Sequence, residues 1–306
     1  MDTLVPERED EGEVIVIDNA TLTQGISSTT TIHGHECAMS SVLGPRESNE
    51  DAHQLCDLNM YLPSSYEGKY SFLGIFDGHG GDEASRFAAA SLPKMLAKNK
   101  NLEVNPTKAL ELAFQYTDRS FAREHYHNSF AGSTAIVSLL VTNEEGTKLY
   151  VANAGDCRGI LVRKGSIERL TTDHSPLNPA EYKRITDAGG SIITETFTHP
   201  SRGNVSVGRV AGVLSVARGI GDLSLKPYIS SKPDVTVVDV NDDTDFVIMA
   251  CDGLWDVFGD EEVGKEFKAR LAEGKTMEDA LKSLCEEAVC DRDSTDNVTA
   301  VALRLH

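Results

Sequence analysis

At 306 residues, 40% hydrophobic and 25% charged, the chain has the composition of an ordinary globular protein with material for a large core. Its net charge of −19 disfavours any partner held by a general anionic field, nucleic acid or an anionic membrane surface among them. No apolar stretch approaches the roughly 20 residues of a membrane span. The six cysteines (Cys37, Cys56, Cys157, Cys251, Cys285 and Cys290) form no CxxC, so free thiols in a reducing, intracellular compartment are expected.

In chain order, the first 18 residues hold seven acids against the single base Arg8, with no basic or apolar leader. Residues 1–30, through Ser27-Ser28-Thr29-Thr30-Thr31, therefore read as a solvated, disordered tail. In His33-Gly34-His35-Glu36-Cys37 a strand would put His33, His35 and Cys37 on one face. Zinc needs four ligands and no partner pair with zinc spacing lies nearby, so an ordinary strand face is the better reading. Gly44-Pro45-Arg46-Glu47-Ser48-Asn49-Glu50-Asp51 is a loop carrying one guanidinium and adjacent carboxylates.

The apolar run Phe72–Phe76 predicts a buried strand, and Asp77-Gly78-His79-Gly80-Gly81 follows it directly. A helix then carries Ala84, Phe87, Ala88, Leu92, Met95 and Leu96 on one face. Asn105-Pro106 supplies a cap and an N1 proline for the next helix. From Ser133 onward the pattern turns to hairpins: 134–142 with 147–153, and 159–163 with 166–170. Short hairpins mean antiparallel sheet. Asn178-Pro179 caps a helix ending at Gly189-Gly190, and residues 191–208 show no clear period, so they read as an irregular surface loop. Strands over 235–240 and 246–251, two helices, and a last strand from Val298 complete the chain.

Five acids recur at strand ends: Asp77, Asp156 and Asp252 just after strands, Asp51 and Asp296 just before them. If those strands share one antiparallel body, the acids can gather at one rim. Each ionised pair at ~4 Å repels by ~4 kcal/mol at an effective dielectric near 20, a cost that divalent cations would offset. All-oxygen ligands without His or Cys favour Mg²⁺ or Mn²⁺ over Zn²⁺. Cys157 and Arg163 match C-x5-R, but the strand-like residues between them offer no phosphate-cradling loop, so the match reads as chance.

Gly44-x-Arg46-x3-Glu50-Asp51, the Asp77–Gly81 run, Gly132-Ser133-Thr134-Ala135, Asn153-x-Gly155-Asp156, Asp252-Gly253-Leu254-Trp255-Asp256 and Asp296-Asn297-Val298-Thr299 stand in a fixed order. In that order, and in the stretch from Arg209-Val210 to Gly221-Asp222, the chain from about residue 35 onward resembles the metal-dependent protein phosphatases, the type 2C serine/threonine phosphatases. The resemblance implies an α+β fold of two packed antiparallel sheets flanked on both faces by helices (αββα), as a single domain over 31–306. It implies hydrolysis of phosphoserine and phosphothreonine monoesters of proteins by a water activated between two Mg²⁺ or Mn²⁺ ions, without a phospho-enzyme. By matching motif, Asp77 would bridge the two metals and the Gly78 carbonyl would bind one. Asp252 and Asp296 would complete the second, Glu50 and Asp51 would hold coordinated waters, and Asp156 a third, weaker ion. Arg46 would grip the substrate phosphate, and His79 would be the general acid, with a third-ligand or structural-turn role as its alternatives. Plant members that bind hormone receptors carry a tryptophan in the segment matching 191–208; here the only one is Trp255, so that partner is not expected. A monomer acting on phosphoproteins is the resulting expectation. A scaffold that keeps the fold without turnover is the alternative, disfavoured because every required acid is present.

Overall fold

Sixteen strands and six helices follow one another through the described residues, 23–125, 130–199 and 203–306, of a computed structural model. β1 (Gly25–Ile32), β2 (His35–Val42), β3 (Ala52–Asp57), β4 (Lys69–Phe76) and the two-residue β5 (Gly78–His79) come first, then helices α1 (Glu83–Ala97) and α2 (Pro106–His125). β6 (Gly132–Ser133), β7 (Ala135–Asn143), β8 (Gly146–Ala154), β9 (Arg158–Arg163) and β10 (Ile167–Arg169) lead to α3 (Pro179–Asp187). β11 (Ile192–His199), β12 (Gly203–Val210), β13 (Ile220–Gly221), β14 (Asp234–Asp239) and β15 (Thr244–Ala250) follow. The order closes with α4 (Asp252–Trp255), α5 (Asp260–Ala272), α6 (Met277–Cys290) and β16 (Val298–Arg304).

Two antiparallel sheets form the centre, one of six strands in the order β1-β2-β16-β15-β9-β10 and one of five in the order β14-β8-β7-β4-β3. Their inner strands are apolar on both faces, and the period of two sorts the side chains. On β4, Phe72 and Phe76 meet Leu92 and Leu96 of α1 and Phe114 of α2, while Leu73 and Ile75 enter the layer between the sheets. On β15, Phe246 and Ile248 meet Phe267 of α5 and Leu281 of α6, while Val247 and Met249 turn inward. The result is an αββα sandwich, as expected. No helix among the described residues is long and apolar enough to cross a membrane.

Three sequence expectations are corrected. The Ser27–Thr31 run is not tail but the edge strand β1, paired with β2 from Gly25↔Val42 to Ile32↔His35. Its side chains are polar on both faces, so it carries no hydrophobic alternation; β-branched threonines and hydrogen bonds from Ser27 and Thr29 to Glu278 hold it. The acidic run of residues 2–18 lies outside the described residues. His33 and Gly34 are the turn joining β1 to β2, both at positive φ, so His33 does not share a strand face with His35 and Cys37. Residues 191–208 fall largely in the β11–β12 hairpin, registered from Ile192↔Val210 to His199↔Gly203. Standing apart from both main sheets, that hairpin buries little, which removes the alternation that would have revealed it.

Candidate metal centre

The five acids lie where the two sheets meet. β4 delivers Asp77, whose backbone is fixed by the Thr134 N–H donating to its carbonyl at 2.9 Å. β3 starts just after Asp51, β15 runs into Asp252, and Asp296 precedes β16. Asp156 lies in the link between β8 of one sheet and β9 of the other. Carboxylate oxygens of Asp77, Asp156 and Asp252 lie within 4.8 Å of one another. Oxygens of Asp51 and Asp77 and the Cys251 Sγ form a second such trio, so Asp77 belongs to both.

Close approach of the supporting loops is built into the sequence. A Cβ at Gly78 would stand 2.3 Å from the Glu50 carbonyl oxygen, so only glycine lets the Asp77-Gly78 corner touch the loop bearing Glu50 and Asp51. The Ser85 hydroxyl donates to the same carbonyl at 2.5 Å, tying that loop to α1. Asn297 fastens it to β16: its amide nitrogen donates to the Leu43 and Ser48 carbonyls, and its Oδ1 accepts from the Glu50 N–H at 3.0 Å. Asp51 accepts a 2.6 Å hydrogen bond from the Thr299 hydroxyl.

Burial and mutual repulsion dominate the electrostatics. Asp77 is held well above the ordinary carboxylate range, first by burial and then by Asp252, Asp51, Asp156 and Asp296. Asp252 is raised in the same way, by burial, Asp156, Asp296, Asp256 and Asp51. Burial lifts Asp156 to about 7 and Asp51 to about 6, and also raises Asp296. Such a cluster is expensive as it stands and becomes favourable around a multivalent cation. The donors are nearly all carboxylate oxygens, a set suited to a hard divalent ion. Cys251 adds no strong ligand: burial pushes its thiol well up, it accepts from the Thr299 N–H at 3.1 Å, and it donates to the Asn297 carbonyl at 3.4 Å.

The remaining expected site residues stand at the rim. Arg46 is half-exposed; its Nη2 pairs with Asp296 at 2.6 Å and its Nε donates to the Thr295 carbonyl at 2.9 Å. Glu50 lies outside both trios, and its charge acts on His79 and Asp296. His79 contacts Asp222, Nε2 to Oδ1 at 2.8 Å. Burial lowers its pKa, but the hydrogen bond and charge of Asp222 outweigh that and hold it above its ordinary value. Cys157 and Arg163 share no phosphate site: Cys157 is buried against Thr134, and Arg163, at the far end of β9, pairs with Glu168.

Two further acids act on these residues, and the sequence reading held them only as motif members without a role. Asp256 raises both Asp252 and Asp156, and its position four residues after Asp252, capping the short helix that Asp252 opens, was the available signal. Asp222 is separated from His79 by 143 residues, and no local pattern connects them.

A family model described as protein phosphatase 2C matches residues 35–298. The chain belongs to the protein phosphatase 2C family. Protein phosphatase 2C homolog 3 of Schizosaccharomyces pombe is 32% identical over 304 residues, covering 93% of this chain and 69% of its own length. A probable protein phosphatase 2C 22 of Arabidopsis thaliana is 34% identical over 281 residues, covering 87% and 67%. The chain thus spans about two thirds of the length of these relatives. Among solved structures, a serine-threonine phosphatase 2C from Toxoplasma gondii superposes with a TM-score of 0.75 at 24% identity, over 92% of this chain and 98% of that one, which establishes the shared fold. As a protein phosphatase 2C, the chain is a metal-dependent protein serine/threonine phosphatase, and phosphoproteins are its substrates.

Proposed function

We propose that the acids gathered round Asp77 hold two Mg²⁺ or Mn²⁺ ions, with a third, weaker ion toward Asp156. Asp77 would be shared between the first two, Asp252 and Asp296 would complete one of them, and the Gly78 carbonyl would add a ligand to the other. Glu50 and Asp51 would hold waters of the coordination shell. The single observation that carries this reading is that Asp77 belongs to both ligand trios. Bound ions would supply an acidified water and neutralise phosphate charge.

The chain's own residues would do the rest. Arg46 spends Nε and one Nη2 hydrogen on Thr295 and Asp296, leaving the remaining donors of an exposed fork to grip a phosphate. His79 would donate the proton that a serine or threonine alkoxide needs in order to leave. No acid is missing, so nothing favours a scaffold without turnover. The reading as an intracellular protein rests on six unpaired thiols, and the net charge of −19 argues against nucleic-acid and membrane partners.

The test is phosphate release from a phosphoserine peptide in Mg²⁺ or Mn²⁺, against excess chelator, with bound metal counted by equilibrium dialysis. Activity in metal, none in chelator and at least two ions bound is the expected result. Full turnover in chelator would overturn the reading.

A further inference from the structure

We propose that Asp222 is a positioning residue for the hydrolysis: it fixes the ring of His79 by engaging Nε2, and so leaves Nδ1 as the nitrogen that faces the departing alkoxide. This rests on the reading of His79 as general acid. The geometry behind it is a small sheet of its own, in the order β13-β6-β5. His79 on β5 and Gly221 on β13 both pair with Gly132 on the middle strand β6. Asp222 follows Gly221, and its side chain passes back over Gly132 to meet His79 at 2.8 Å.

Three further observations separate this contact from an ordinary ion pair. A Cβ at residue 132 would stand 2.2–2.3 Å from the carboxylate atoms of Asp222, so the middle strand leaves the passage open by having no side chain there. Asp222 adopts the left-handed conformation, φ 50° and ψ 44°, which is uncommon for a residue with a Cβ although aspartate enters it more readily than most. Strain of this sort collects where surrounding structure over-determines a functional group. The surroundings do so here: the Asp222 N–H donates to the Ala131 carbonyl at 3.1 Å, and the Gly221 N–H donates to Asp118 at 2.9 Å. Lys226 holds Asp118 in turn, at 3.1 Å. Lastly, Asp222 is only 5% exposed, yet its Oδ2 has no hydrogen-bond partner among the described residues. A carboxylate kept for stability alone would spend both oxygens, because a buried unpaired acceptor is costly. This one is aimed by a strained turn at a single target, the imidazole.

The experiment is a double-mutant cycle on the full chain in Mn²⁺: wild type, Asp222→Asn, His79→Ala and the double variant. Each is assayed for kcat and KM on a phosphoserine peptide and on p-nitrophenyl phosphate. Carboxylates that orient a functional imidazole are typically worth 10–100-fold. Asp222→Asn is therefore expected to lower kcat on the peptide by about 10–100-fold while leaving its KM within about twofold. Nitrophenolate leaves without a proton, so the second substrate should fall by less than about threefold. If Asp222 acts through His79, adding Asp222→Asn to His79→Ala should cost less than about twofold more. Full additivity of the two changes would overturn the inference. The role of His79 is read separately: if His79→Ala slows both substrates equally, the acid reading fails, while the coupling still decides whether Asp222 works through the imidazole. Should Asp222→Asn not fold, Asp118→Ala, which frees the Gly221 anchor, takes its place in the same cycle. A smaller loss confined to the peptide is then expected, and a loss fully additive with His79→Ala overturns the inference.

Discussion

Asp77→Asn is expected to abolish turnover and, in chelator, to make the protein more stable. Asp77 lies within 4.8 Å of oxygens of Asp51, Asp156 and Asp252. At that separation each ionised pair repels by about 3 kcal/mol at an effective dielectric near 20. Burial and these neighbours raise the Asp77 carboxyl, so an ionised Asp77 is a burden on the site until a cation is bound. Asparagine has the same shape and no charge, so even partial relief should gain about 1–3 kcal/mol. For a protein of this size that is a rise in Tm of about 2–4 °C per kcal/mol or slightly less. The assay is a pair of thermal melts at pH 7.5, with chelator and with saturating Mn²⁺. Wild type should gain about 2.7 kcal/mol from metal at a hundredfold excess over its dissociation constant, whereas the variant should gain far less. A variant less stable than wild type in chelator would refute the repulsion, and an undiminished shift on adding Mn²⁺ would refute the shared ligand.

Two further outcomes are expected. Glu181, buried on α3, pairs with Arg218 at 2.6 Å and Arg184 at 2.8 Å; burial raises its pKa, but the two guanidinium groups outweigh that and hold it below its ordinary 4.5. A depressed carboxylate stabilises above its unfolded value and loses that contribution as pH falls, by up to about 1.4 kcal/mol per unit. Glu181→Gln should thus cost roughly 3 kcal/mol at pH 7, shrinking below about pH 4.5, as denaturant melts across that range would read; a constant deficit would exclude the ion pair as its cause. Deleting residues 1–22 should leave turnover of a small substrate within about a factor of two, since no motif lies there, and a collapse with folding intact would assign the segment a part in the site.

What the sequence made legible follows from what its local patterns can carry. Asp77, Asp156 and Asp252 could be read as a set because each terminates a strand that is apolar on both faces, so a charged residue at the end stands out. Asp51 and Asp296 could be read because a strand begins just beyond each. The β1 strand could not, because an edge strand with polar faces looks like tail, and the β11–β12 hairpin could not, because it has no second layer against which to alternate. Asp222 was hidden for a different reason. Its partner is set by a three-strand register across 143 residues, so the motif stretch that ends at Gly221-Asp222 does not by itself say what Asp222 touches.

The placement of the acids explains how so costly a cluster survives. Asp51 and Asp77 belong to the five-stranded sheet, Asp252 and Asp296 to the six-stranded one, and Asp156 to the link between them. Cations held among them would join the two sheets at an edge of their seam. The repulsion they would relieve is borne by the layer between the sheets, where Leu73, Ile75, Leu140, Val151, Leu161, Val247, Met249 and Val301 are buried. Each such side chain contributes about 1.5–3 kcal/mol. Each ionised acid pair costs about 3 kcal/mol against them, so this apolar layer offsets part of the repulsion whether or not a cation is bound. The small β13-β6-β5 sheet is built for close approach. Its strands β13 and β6 are buried and β5 half-buried; they carry three glycines, Gly78, Gly132 and Gly221, and β13 leads into the left-handed Asp222. With so few side chains of its own the segment is held by the sandwich around it, and what it contributes in return is the orientation of one imidazole.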